Sequence, residues 1–109
     1  MLNGIFFELN SSNITDLIKI YPNIKLVIIA AGKINFAEIN KDPKQARFYN
    51  VTCTKKIINE INELGLFLVY ISSESVFDGQ SGNYVESDKP NPTFEYAIQK
   101  DLVEKFIVQ

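Results

Sequence analysis

The chain has no histidine and no tryptophan, a single cysteine, and five glycines in 109 residues. Without histidine there is no imidazole-based nucleophile pair, and most zinc-site patterns drop out. Cys53 alone builds no disulfide framework, and inside a predicted helix with no imidazole to activate it, it reads as a packed thiol. The glycines are scattered, so no Gly-rich phosphate loop is present. Eleven basic residues against thirteen acidic ones give a net charge of −2 with both signs interspersed, which recruits neither nucleic acid nor an anionic membrane. No apolar run reaches the roughly 18 residues of a membrane span. The opening MLNGIFFELNSS lacks the basic start and long apolar centre of a secretion signal, so the expected location is cytoplasmic.

What is present is the composition of an ordinary globular domain, 46% hydrophobic and 22% charged, on a scale that allows one domain over residues 1–109. Gly4 to Leu9 is a short apolar run that predicts a strand. Ser12 or Asn13 can cap a short helix through Asp16, Leu17 and Ile20, ended by Pro22 and Asn23. Lys25 to Ala31 (KLVIIAA) is a continuous β-branched run, the pattern of a strand covered on both faces, and Gly32 ends it. A polar connection leads to Asp42-Pro43, a helix start. The helix that follows carries Val51, Thr54, Ile57, Ile58, Ile61 and Leu64 on one stripe and stops at Gly65. Leu66 to Ile71 predicts a second buried strand, Ser73 to Asn91 a loop, and Phe94 to Val108 a last helix with Leu102, Val103, Phe106 and Ile107 inward. Three strands alternating with helices predict an α/β fold with a parallel sheet.

The chemistry gathers between Leu68 and Lys100. Tyr96 and Lys100 lie one turn apart on one helix face. An ammonium near a phenol favours the phenolate, and such a tyrosine can hand its proton to a carbonyl oxygen as hydride reaches the carbon. Tyr-x-x-x-Lys recurs by chance on many helices, and loop serines are commonly turn residues. The pair gains weight from Ser72-Ser73 at the end of a buried strand, where open α/β sheets bind ligands. Asn50 falls inside the long helix, where asparagine has poor propensity; it faces solvent or bonds a neighbouring backbone. Asp78-Gly79 and Ser81-Gly82 are turn signals.

These residues in this order resemble the dTDP-4-dehydrorhamnose reductases and their relatives among the extended short-chain dehydrogenases, the sugar-nucleotide reductase and epimerase group. The matching residues are VYISSESVFDG at Val69–Gly79, then Tyr84, Glu86, Asp88, Pro90, Asn91 and Pro92, then Tyr96-x-x-x-Lys100. Upstream, LVIIAAG at Leu26–Gly32, Asp42-Pro43 and Asn50 fall in the family's order. The resemblance implies a Rossmann-type doubly wound sheet and reduction of a 4-keto sugar nucleotide with NADP or NAD. It makes Tyr96 the general acid, Lys100 its partner and a ribose ligand, and Ser73 the catalytic hydroxyl. Ala30, Ala31, Gly32, Ser72 and Asn13 would lie along the cofactor, and Glu74, Ser75 and Phe77 along the substrate. Glu8 hints at NAD through a ribose hydroxyl. Some relatives in this group serve as regulatory subunits, so a non-catalytic binding module is a second reading and an inactive gene remnant a third.

The departures are specific. Glu74 stands where the family has aspartate, Ser75 where it has an aromatic residue, Asn13 for an aspartate, and Gln99 for a small residue before the lysine. The family's first strand and Gly-x-x-Gly-x-x-Gly loop find no counterpart in these 109 residues. The fold is therefore expected to be partial, lacking the first βα unit at the sheet centre. The KLVIIAA strand would then expose an apolar edge, and self-association or a companion chain is expected to complete the sheet.

Overall fold

The computed structural model describes residues 4–109. Strands β1 (Leu26–Ile29) and β2 (Phe67–Tyr70) pair in parallel, Leu26 opposite Phe67 and Ile29 opposite Tyr70. Both lie at the centres of the predicted apolar runs. The segment between them is helical, as a parallel crossover requires: α2 (Phe36–Lys41), α3 (Pro43–Arg47), a π-helical turn (Phe48–Cys53) and α4 (Thr54–Glu63).

The predicted start and stop of the long helix hold. Asp42 accepts a bond from the Gln45 N–H at 2.9 Å, with Pro43 at the first helical position. At the other end Gly65 has φ 65°. The N–H groups of Gly65 and Leu66 reach the carbonyls of Asn62 and Ile61, each at 3.0 Å, the paired bonds of a Schellman cap. Two features depart from the expectation. The polar connection is itself partly helical: α2 is capped by Asn35, whose side chain accepts from the Ala37 and Glu38 N–H groups. The long helix is also interrupted by its π turn, which carries Asn50.

The stripe on α4 packs as its spacing predicts. Thr54, Ile57, Ile58 and Ile61 are buried with Val51 and Cys53, while Leu64 is partly exposed at the cap. They meet Ile29, Val27, Leu68 and Tyr70 from one sheet face, Ile14 from α1 (Ile14–Ile20), and Val103 from α5 (Glu95–Ile107). Asn13 makes no side-chain cap for α1. Instead Glu60 of α4 accepts from the Ile14 N–H at 2.7 Å, placing a carboxylate at a helix N-terminus where the backbone dipole favours it.

The strand expected at Gly4–Leu9 does not form: Gly4–Glu8 is irregular and joins no ladder. An apolar run needs a hydrogen-bonding neighbour to become a strand, and the described sheet has only β1 and β2. Phe7 and Leu9 nevertheless pack on the core. The expectation of cover on both faces also fails among the described residues. All helices of the core lie on one face. The other face carries Leu26, Ile28, Phe67 and Val69, with Ile28 57% and Phe67 74% exposed. The radius of gyration, 15.3 Å, exceeds the ~13 Å of a compact chain this long.

Candidate functional site

The C-terminal ends of β1 and β2 open onto a cavity of about 100 Å³. Ala30, Ala31 and Gly32 line it from β1, Ile71 and Ser72 from β2, and Tyr96, Gln99 and Lys100 from α5, with Asn50 behind. Small residues along one wall let a ligand approach the backbone closely. Gly32 is required there for a second reason: a Cβ on it would meet the Asn50 Oδ1 at 3.1 Å.

Lys100 is held at the centre of this cavity. Its ammonium donates to the Ile71 carbonyl at 2.8 Å and lies 4.7 Å from the Tyr70 ring centroid and 5.7 Å from that of Tyr96. Desolvation lowers its pKa, with Glu104 opposing. Burial, more than any neighbouring charge, raises the Tyr70 phenol, leaving it a neutral ring under the ammonium. The Tyr96 ring leans on Phe36 of α2 at 5.4 Å. The Ser72 hydroxyl is buried without a partner, on a residue that lines the same space. An orphaned buried hydroxyl costs free energy unless something bonds it.

A wider groove of about 580 Å³ adjoins this cavity through Ser72. Ser73, Glu74, Phe77 and Tyr84 line it with Val85, Glu86, Asp88 and Glu104. Its wall is a loop organised by Asp78. That carboxylate accepts from the Tyr84 hydroxyl at 2.6 Å, the Gln80 N–H at 3.0 Å and the Asn91 amide at 2.9 Å. These bonds, Tyr84's first, hold the Asp78 carboxyl down to about 2. The Phe77 and Tyr84 rings stack at 4.6 Å. What reads in sequence as a turn signal is the anchor of the loop.

The predicted site residues divide by place. Ala30, Ala31, Gly32, Ser72, Tyr96 and Lys100 come together in one cavity. Ser73, Glu74 and Phe77 share the adjoining groove, where the Ser73 hydroxyl also caps the short 3₁₀ turn Glu74–Val76 by accepting from the Ser75 N–H at 3.2 Å. Ser75 gives its own hydroxyl to Ser73 at 2.8 Å. Asn13 lies outside both spaces, its amide engaged by Lys56 at 2.8 Å and by Asp16. The Cys53 thiol is buried, and burial raises its pKa. Arg47 and Glu95, unread in the sequence, form a two-point ion pair behind the cavity.

The chain resembles several known proteins. It is 37% identical over 71 residues to methionine adenosyltransferase 2 subunit beta of Bos taurus, covering 65% of this chain and 21% of that protein. Among solved structures, a hypothetical dTDP-4-dehydrorhamnose reductase from Sulfolobus tokodaii superposes with a TM-score of 0.85 at 29% identity, over 100% of this chain and 40% of that one. MoeE5, solved in complex with UDP-glucose and NAD, superposes with a TM-score of 0.81 at 28% identity over 94% of this chain and 33% of its own. The chain thus spans about a fifth of the curated relative and well under half of each solved one. These likenesses identify the α/β fold as Rossmann-type. The family described as the RmlD substrate binding domain matches residues 8–109, and the chain belongs to that family.

Proposed function

We propose that the cavity holds the nicotinamide-ribose end of NADH or NADPH, and that the chain takes part in reducing a 4-keto sugar nucleotide. The observation that carries this reading is Lys100: an ammonium fixed by a strand-end carbonyl, between two tyrosine rings, beside an unpartnered serine hydroxyl. The residues present fit a ribose, whose hydroxyls can satisfy both Lys100 and Ser72. A pyrophosphate finds no Gly-rich backbone loop among these 109 residues to cradle it.

In this reading Tyr96 gives its proton to the substrate carbonyl oxygen, and Lys100 stabilises the phenolate left behind. Ser73 bonds the same oxygen. The dinucleotide supplies the hydride. The substrate's sugar lies in the adjoining groove, where Glu74 accepts from its hydroxyls and Phe77 packs on its ring, while Ser75, outside the groove lining, holds the Ser73 hydroxyl. Glu74, Glu86, Asp88 and Glu104 give this groove no cation, so a nucleoside diphosphate sits outside it. Asn13 belongs to the far, adenine end.

A second reading has its own support. A relative named as a subunit of another enzyme and an uncovered apolar sheet face both favour a regulatory module that works through a partner. In either case the open face and edge of β1 are completed by self-association or by a companion chain.

The test is turnover: loss of nicotinamide absorbance with a 4-keto sugar nucleotide. Tyr96→Phe is expected to lower it by roughly 10²-fold or more, the scale of a lost general acid. Cofactor binding with no turnover on any such substrate supports the regulatory reading.

A further inference from the structure

We propose that Gln99 is a positioning residue that sets the distance between the Tyr96–Lys100 helix and the Ala30–Lys33 turn, acting through Asn50. The proposal rests on the cofactor reading of the cavity but stands on a separate set of contacts. Gln99 is 1% exposed, and a primary amide buried that deeply destabilises the fold unless both its ends are bonded. Both are. Its Oε1 accepts from the Asn50 Nδ2 at 2.7 Å, and its Nε2 donates to the Glu95 Oε1 at 2.9 Å.

Asn50 passes the constraint on. Its Oδ1 accepts from the Lys33 N–H at 2.7 Å, while its Nδ2 donates to the Lys33 carbonyl at 2.9 Å. One side chain therefore reads both backbone groups of the residue after Gly32, much as a neighbouring strand would. The π-helical turn Phe48–Cys53 is what aims it; such turns re-aim a side chain without ending the helix. At the other end Glu95 is fixed by Arg47 from α3, at 2.5 and 2.9 Å. The contacts run unbroken from Arg47 through Glu95, Gln99 and Asn50 to Lys33, crossing from α5 to the turn that forms the opposite wall of the cavity.

Chain length at position 99 matters. Alanine or serine cannot span the gap, and would leave one Asn50 hydrogen buried without an acceptor. A small residue here would need another arrangement. Gln99 is thus the point at which this chain carries its own solution for holding catalytic helix and cofactor turn together.

The test compares Gln99→Ala and Gln99→Met with the wild-type chain. Methionine keeps the volume and the helix propensity but accepts no hydrogen bond. Hydrogen exchange at the Lys33 amide is read without any ligand, and NADH and NADPH dissociation constants are read beside it. The expected result is faster Lys33 exchange in both variants, by roughly three- to tenfold for one lost side-chain bond, with cofactor affinity falling in parallel. Wild-type exchange in Gln99→Met would make Gln99 a space-filling residue and overturn the proposal. So would unchanged dissociation constants in variants whose exchange has risen. Should Gln99→Ala not fold, the methionine variant decides alone. Absence of binding by the wild-type chain would refute the cofactor reading, and the exchange at Lys33 would still judge the clamp.

Discussion

Asp78 shows how a single side chain builds the wall of the substrate groove. Three donors converge on it, and its carboxyl is held at about 2, below the ~3.9 of an unfolded aspartate. A depressed folded pKa gives a contribution that is complete above the unfolded value and lost as pH falls through the folded one. The loop should therefore resist proteolysis unchanged down to about pH 4 and loosen between about pH 4 and 2. Asp78→Asn cannot accept from all three donors, so at neutral pH cleavage within the loop should rise roughly fivefold. In the core, Ile61 has no exposed surface. Ile61→Ala should cost ~2–5 kcal/mol in denaturant titration. Much at this scale was legible. Tyr96, Lys100 and Ser72, singled out from residue type and spacing, line one cavity. Glu60, Gln99, Glu95 and Arg47 were not, because each acts on a residue distant in sequence or in a direction that spacing alone does not give. The role of Glu60 at the start of α1, 46 residues away, is of that kind.

Elements whose ends are written locally came out as predicted. Asp42-Pro43 and Gly65 bound the long helical stretch because caps use residues within a few positions. Gly65→Ala forces a Cβ into a left-handed backbone and should cost ~1 kcal/mol, measured in denaturant. The helix α2 was equally local, signalled by Asn35 and Glu38 three apart, a cap pattern passed over within the polar connection. The π turn has no such signal: the groups its Asn50 bonds, on Lys33 and Gln99, lie 17 and 49 positions away in sequence. Gly4–Leu9 fails as a strand for a related reason. Pairing depends on a neighbour, and an apolar run carries no information about whether one is there.

At the scale of the molecule, the β-branched run of β1 announced a strand, and the cover on both faces read from it is absent among the described residues. The described residues cover it once. The exposed sheet face, with Phe67 and Ile28 at its centre, is an apolar patch of the kind that marks an interaction surface. Ile28→Lys with Phe67→Glu should abolish association in sedimentation while leaving far-UV circular dichroism intact, since both side chains are mostly exposed. A double variant that still associates would place the interface elsewhere.

The central claim, that the cavity around Lys100 is a nicotinamide site, is tested most directly by titrating the chain into NADH and NADPH and following nicotinamide fluorescence. The chain has no tryptophan to interfere. Saturable binding is expected, weakening at least tenfold in Lys100→Met, since hydrogen bonds to a charged group contribute ~1.5–3 kcal/mol. Saturable binding unaffected by Lys100→Met, or no binding by the folded chain, would contradict the claim.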